Sequence, residues 1–378
     1  IINMKNILIV GPYPPPYGGI SSNVRELPLF LKQKGINGVW VLSENKLNSL
    51  KIIDGFNLIE LNLKSNWPDN FRLLNLKRLI QSYNKIRQYH LGWRDTLKSS
   101  MKAIYIKKMI AEKKIDHIIF MDSWVSEVII PVLKNTWKLT IPIMSMAWGV
   151  SKRLEFYNSR KNMLTDIINY SDSIWASSNY CARGVEMIGI SSNKIDTIYL
   201  GVDINRYQID NTEYINYRKK NHLSETTPIV LFVGRMNKEM GLDVVLKMIP
   251  LSLEENPTIS FIIIGANGEL TQEALKLQAL YRDNLKVHVN APFDLVENST
   301  KICDILLAPS MNKHACMGMS IKQAMACGKI VIASSSGGIP EAIINNESGF
   351  LLPINNTGNL DVKNFVSTLS NLLNNPIK

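Results

Sequence analysis

Short apolar runs alternate with helix-period segments along almost the whole chain. The run 6–11, NILIVG, is closed by Gly and then Pro. The stretch 21–35, SSNVRELPLFLKQKG, opens on Ser and Asn and ends on Gly, which are helix start and stop signals. GVWVLS, FNLIELNL, DHIIFM, IPIMSMAW and DSIWASS read as further buried strands. They are apolar throughout rather than alternating, as a parallel sheet covered on both faces requires. After Tyr207 the chain turns polar over QIDNTEYINYRKKNHLSETTP. The alternation then restarts with IVLFVGR (229–235), ISFIIIGANG (259–268), LKVHVN (285–290), CDILLAPS (303–310) and KIVIASSSGG (329–338). The expected fold class is therefore α/β, with two doubly wound domains, 1–205 and 206–378, and a boundary near 205–228. Open parallel sheets bind ligands at the carboxyl ends of their strands. Two such domains facing each other imply a cleft between them. The last stretch, FVSTLSNLLNNPIK, reads as a helix running into a turn, and a terminal helix covering that edge is expected to be missing.

Composition narrows the class. Of 378 residues, 46% are hydrophobic and 20% charged, which excludes a disordered chain. No apolar run approaches the ~20 residues that span a bilayer. The apolar stretch near the start is too short for a secretion signal, and prolines follow it. The four cysteines, Cys181, Cys303, Cys316 and Cys327, form no CxxC pair and stand at no zinc spacing beside a histidine. A reducing, cytoplasmic setting without a structural metal is expected.

Charge adds a second feature. The net charge is +11. The segment from Lys64 to Lys114 holds thirteen Lys and Arg against Asp69, Asp95 and Glu112, a net +10. Trp67, Phe71, Tyr83, Tyr89, Trp93 and Tyr105 are interleaved with them. Three readings stay open: a surface lying on anionic lipid at the inner membrane face, a solvated helical face, or a nucleic-acid surface. The last has no recognisable module behind it.

Four places at strand ends could carry chemistry. In GPYPPPYGGISSN, Gly18 and Gly19 precede a helix, where backbone N–H groups admit a phosphate or sugar. In FVGRMNKEMGLD, Arg235 and Lys238 are cations suited to a diphosphate, or plain loop cations. In GMSIKQAMACG, Gly318, Met319, Ser320 and Ile321 offer N–H groups at a helix start. SSSGGIPE is a further Gly-rich strand-to-helix turn.

Together with YLGVDINRY (199–207), these stretches resemble the GT-B glycosyltransferases of family 4, which retain anomeric configuration. The resemblance covers nearly the whole chain. It implies two Rossmann-like domains, an acceptor-side one and a nucleotide-sugar-binding one. It also implies that Gly18 and Gly19 approach donor phosphate and acceptor, that Arg235 and a lysine hold the diphosphate, and that amides around Gly318 touch phosphate. Two glutamates eight residues apart would hold donor sugar and ribose. The sequence departs from that pattern. Ala315 and Gln323 stand at the glutamate positions, and Met240 at the lysine position, so that Lys238 would substitute. Trp148 stands where the family has a histidine. Gln323 keeps an acceptor and gains donors. His314 is a candidate for reaching the sugar, or a loop histidine. Trp148 is an acceptor-side stacking platform, or packing.

The candidate catalytic set is Arg235, Lys238, Gln323 and His314. No DxD motif is present, so neither a metal nor a cofactor is implied. The expected function is transfer of a sugar from a UDP- or GDP-sugar to a glycan or lipid-linked acceptor. The rival is a non-catalytic binding or partner subunit, and a nucleotide-sugar epimerase is a third reading.

Overall fold

A computed structural model describes residues 6–14, 18–44, 49–62, 75–121, 127–147, 161–187, 191–208, 210–220, 223–311, 316–355 and 358–375. The chain forms two compact units, Ile1–Pro14 with Gly19–Tyr199, and Pro15–Gly18 with Leu200–Lys378. The sequence places the boundary after residue 205; the units divide between Tyr199 and Leu200.

The first unit is built on an eight-stranded sheet. In chain order the strands are β1 (Asn6–Val10), β2 (Gly38–Glu44), β3 (Ser49–Ile53), β4 (Phe56–Leu61), β5 (His117–Phe120), β6 (Ile143–Ala147), β7 (Ser173–Ala176) and β8 (Ile195–Thr197). In space they run β3-β4-β2-β1-β5-β6-β7-β8. All pairs are parallel except β3 with β4. The strand order turns at β1 and β5, which creates a switch point at their carboxyl ends. Helix α1 (Gly19–Gln33) leaves β1 there. Helices α2 (Leu76–Arg87) and α3 (Trp93–Lys113) form an antiparallel pair before β5. Asn75 caps α2 by accepting from the Arg78 amide at 3.2 Å. Lys114 ends α3 in the left-handed region at φ 50. Helices α4 (Lys161–Tyr170) and α5 (Asn179–Glu186) follow, with a short π-helix, Val132–Thr136, between β5 and β6.

The second unit opens with α6 (Asn211–Lys220), inside the stretch that reads as polar linker. Six parallel strands follow: β9 (Ile229–Val233), β10 (Ser260–Gly265), β11 (Leu285–Val289), β12 (Ile305–Ala308), β13 (Ile330–Ser334) and β14 (Phe350–Leu352). Their order is β11-β10-β9-β12-β13-β14, so the switch point lies between β9 and β12. Helices α7 (Leu242–Glu255), α8 (Thr271–Leu280), α9 (Phe293–Ile302), α10 (Met319–Ala326) and α11 (Val362–Asn374) cover the sheet. Val245, Ile249, Ala274, Phe365 and Leu369 pack on one face with Phe232 and Ile263. Ile321 and Ala324 pack on the other with Leu231 and Ile264, joined by Tyr214 and Tyr217 of α6. Both faces are thus buried, and that is why the strands read as unbroken apolar runs.

Helix α6 is held by charge rather than by an apolar stripe. Arg218, 4% exposed, donates to the Ser224 and Thr227 carbonyls at 2.7 and 2.8 Å. It also donates to Asp304 Oδ2 at 3.2 Å, and that oxygen accepts the Ile229 amide at 2.8 Å. One guanidinium therefore ties the linker helix to the amino ends of β9 and β12.

Candidate functional site

The site is built at the carboxyl ends of β9, β12 and β13, which are neighbours in the second sheet. After β9 the chain makes a tight turn. Met236 is fully buried in the core. Its amide donates to the Ala266 carbonyl at 2.9 Å, and its own carbonyl accepts the Leu270 amide at 3.0 Å. Pinning Met236 inward leaves Arg235, one residue earlier, exposed at the strand end. A short 3-10 turn, Lys238–Met240, follows, capped by Asn237 Oδ1 on the Met240 amide at 3.0 Å. Lys238 is exposed, and its amide donates to Glu269 Oε1 at 3.1 Å.

Gly241 closes this turn at φ 76. A Cβ there would stand 1.8 Å from the Pro309 carbonyl oxygen, so only glycine fits against the end of β12. The Met311 amide donates to the Glu239 carbonyl at 3.0 Å, which joins the two strand ends directly. The switch point therefore holds Arg235 and Lys238 beside the segment that leads to α10.

Helix α10 starts after Gly318, whose φ is 74, and among the described residues no side chain caps its first turn. The amides of Met319, Ser320 and Ile321 begin the helix, so its N-terminal partial charge is free of a competing cap. Ile321 and Ala324 turn toward the sheet. Gln323 is 6% exposed. Lys322 donates from Nζ to the Leu200 carbonyl at 2.7 Å. Burial lowers the Lys322 pKa, against the opposing pull of Cys316 and Glu341. After β13, Ser334 donates to the Ser310 carbonyl. Ser336, 2% exposed, has no hydrogen-bond partner for its hydroxyl, and a 3-10 turn over Ile339–Glu341 follows.

Arg235 and Lys238 thus follow β9, whose neighbour β12 precedes α10 in the chain, and Gly318, Met319, Ser320, Ile321 and Gln323 belong to the start of α10 in the same unit. Gly19 begins α1 in the first unit, at the carboxyl end of β1, with its carbonyl accepting from Asn23 Nδ2 at 2.7 Å. Gly18 and Gly19 are both exposed. His314, Ala315 and Trp148 lie outside the described residues. Lys322, Ser336 and Glu341, which the sequence candidates do not include, adjoin Gln323 and the Gly-Gly pair of SSSGGIPE. The arrangement offers two exposed cations and a helix N-terminus to an anion, the donor set a diphosphate needs. A cavity of about 650 Å³ lies between α7 and the start of α11, lined by Lys247, Leu251, Pro353, Asn355 and Asp361. It is an open groove beside the end of β14, at the sheet edge and away from β9 and β12.

Comparison with known proteins follows this geometry. The architecture is the GT-B fold. HepE of Anabaena, solved in complex with UDP and glucose, superposes with a TM-score of 0.69 at 16% identity, covering 99% of this chain and 90% of that one. Residues 213–377, most of the second unit, match the family described as Glycosyl transferases group 1. The D-inositol 3-phosphate glycosyltransferase of Xylanimonas cellulosilytica is 27% identical over 195 residues, 49% of this chain and 46% of that protein. A GDP-mannose-dependent monoacylated alpha-(1-6)-phosphatidylinositol monomannoside mannosyltransferase of Corynebacterium glutamicum is 26% identical over 184 residues, 47% of this chain and 46% of that protein. The matched stretch therefore spans about half the length of these curated relatives. The fold is thus shared over the whole chain, and the likeness to group 1 glycosyltransferases lies in residues 213–377.

Proposed function

We propose that the chain transfers a sugar from a UDP- or GDP-sugar to a glycan or lipid-linked acceptor. Transfer proceeds with retention, as in family 4, and serves surface polysaccharide or glycoconjugate assembly on the cytoplasmic side of a membrane. The observation that carries this reading is the strand-end cluster of Arg235, Lys238 and the uncapped N-terminus of α10, where residues 213–377 match the family. A departing diphosphate gathers charge in the transition state, and fixed cations and amides aimed at it supply the main stabilisation. Arg235 and Lys238 take the phosphates, the amides of Met319–Ile321 complete the anion cradle, and Gln323 holds the nucleotide ribose. His314 serves the donor sugar, and Trp148 with Gly19 serves the acceptor side. The chemistry calls for no metal.

Isothermal titration with UDP, GDP and their common sugar conjugates tests the donor site. One nucleotide should bind at micromolar concentration, and Arg235→Ala should weaken it about tenfold or more, the worth of a charge-assisted bond. No binding at millimolar concentration to the folded chain rejects the reading. A non-catalytic binding role is the second reading, favoured by Gln323, Ala315 and Met240 at positions where the family carries charge. A Gln323→Glu variant separates the two. A large gain in turnover identifies the present residue as an inactivating one, whereas measurable turnover in the native chain with no gain supports the enzyme.

A further inference from the structure

We propose that the outer face of α2, with the turn that follows it, is a docking surface for an anionic lipid membrane. None of its residues belongs to the strand-end site, so this inference stands apart from the sugar-transfer reading. The described part of the basic segment, 75–114, divides between two helices. Helix α3 is mostly interior: Met101, Ile104, Ile106 and Met109 are buried, and even Lys102 is 2% exposed beside Glu44. Helix α2 turns Leu79, Ser82 and Ile86 inward and leaves its other side bare.

On that side Leu76 is 65% and Ile80 53% exposed. At 100° per residue, Leu76, Ile80 and Arg87 fall within about 40° of one another, with Lys77 beside them. Helix α2 carries Lys77, Arg78, Lys85 and Arg87 and no acidic residue. The carboxylate packed against it, Asp166, is already bonded by Lys85 at 2.8 Å and by the Tyr89 hydroxyl at 2.6 Å. Just past the turn, at the first residue of α3, Trp93 is 61% exposed, with the Arg94 guanidinium 5.2 Å from its ring centre. Asp95 is the nearby acid there, 3.9 Å from Lys98. The cations also crowd one another. Burial, and next the charge of Arg78, lower the Lys107 pKa.

A solvated face explains the cations but not three large apolar side chains among them. A nucleic acid would meet the charge and leave Leu76 and Ile80 in water. A lipid headgroup layer satisfies both, since it offers negative charge at the surface and apolar depth beneath it. Tryptophan, apolar with one polar N–H, suits that boundary. Among the described residues no helix is long and apolar enough to cross a membrane, so contact of this kind is made from the surface.

The test is co-sedimentation of the whole chain with phosphatidylcholine vesicles and with mixed phosphatidylcholine–phosphatidylglycerol vesicles. Binding is expected to the mixed vesicles only. Lys77→Glu with Arg87→Glu should weaken it at least about 25-fold, at roughly fivefold per cation lost. Leu76→Ser, Ile80→Ser and Trp93→Ser together should weaken it at least about tenfold. These side chains are exposed, so each variant should keep the native circular dichroism spectrum. Absence of binding to the mixed vesicles, or binding that neither variant alters, overturns the proposal. Binding unaffected by the apolar variant but displaced by single-stranded RNA also overturns it and assigns the face to nucleic acid.

Discussion

Replacing Gly241 by alanine tests whether the switch-point turn is what organises the site. The new Cβ would begin 1.8 Å from the Pro309 carbonyl oxygen, where real contacts stay beyond 3.0 Å. The turn and the end of β12 must therefore separate by more than an ångström. Left-handed backbone at a non-glycine residue costs about 1–2 kcal/mol. The separation also strains the Met311 amide and Ser310 hydroxyl bonds to the Glu239 carbonyl, 3.0 and 3.3 Å long, at about 1 kcal/mol each. The expected loss is about 3–4 kcal/mol. Gly328→Ala is the control, because Gly328 has φ 64 but nothing within 4 Å of its Cβ, so the backbone strain alone remains. The two units can be read separately. All seven tryptophans fall between Trp40 and Trp175, in the first unit. In urea unfolding, Gly241→Ala should lower the far-ultraviolet dichroism transition while the tryptophan transition stays in place. Affinity for the donor nucleotide should fall with it. A loss no greater than that of Gly328→Ala would refute the close-packing argument.

Two further outcomes follow from buried charge. Arg218→Ala removes the donors of the Ser224 and Thr227 carbonyls and one of the partners of Asp304 at the amino end of the second sheet, and should cost about 2–3 kcal/mol by urea unfolding; a loss below about 1 kcal/mol would show that water replaces the guanidinium. His288 has its pKa lowered, first by burial and then by the Lys286 charge. The folded state therefore resists protonation, the unfolded state binds more protons below its ordinary pKa, and stability is lost as pH falls through that window. His288→Gln should flatten the pH dependence of the second unit's unfolding between about pH 5 and 7, and an unchanged slope would place its origin elsewhere.

The apolar runs alone determined the parallel sheets, because a strand covered on both faces has no polar position to spare. They also determined two units and the strand ends at which Arg235, Lys238 and Gly318 would stand. Three strands escaped the pattern. β3 is an edge strand, with Leu50 64% and Ile52 77% exposed, and β8 and β14 are three residues each, too short for a period to register. Helix α6 escaped because its anchor is Arg218, whose worth depends on Asp304, 86 residues away. The same limit applies at the site. That Gly241 closes the stretch carrying Arg235 and Lys238 is legible from the resemblance, which places Met240 where the family has its lysine. That Gly241 must be glycine is not, because the obstacle is the Pro309 carbonyl, which only the packing of β9 beside β12 delivers. Likewise the charge run 64–114 is plain in the sequence, yet only tertiary packing turns α3 inward and leaves Leu76, Ile80 and Trp93 facing out. Periodicity tells which residues share a face; what covers that face is decided by elements distant in the chain.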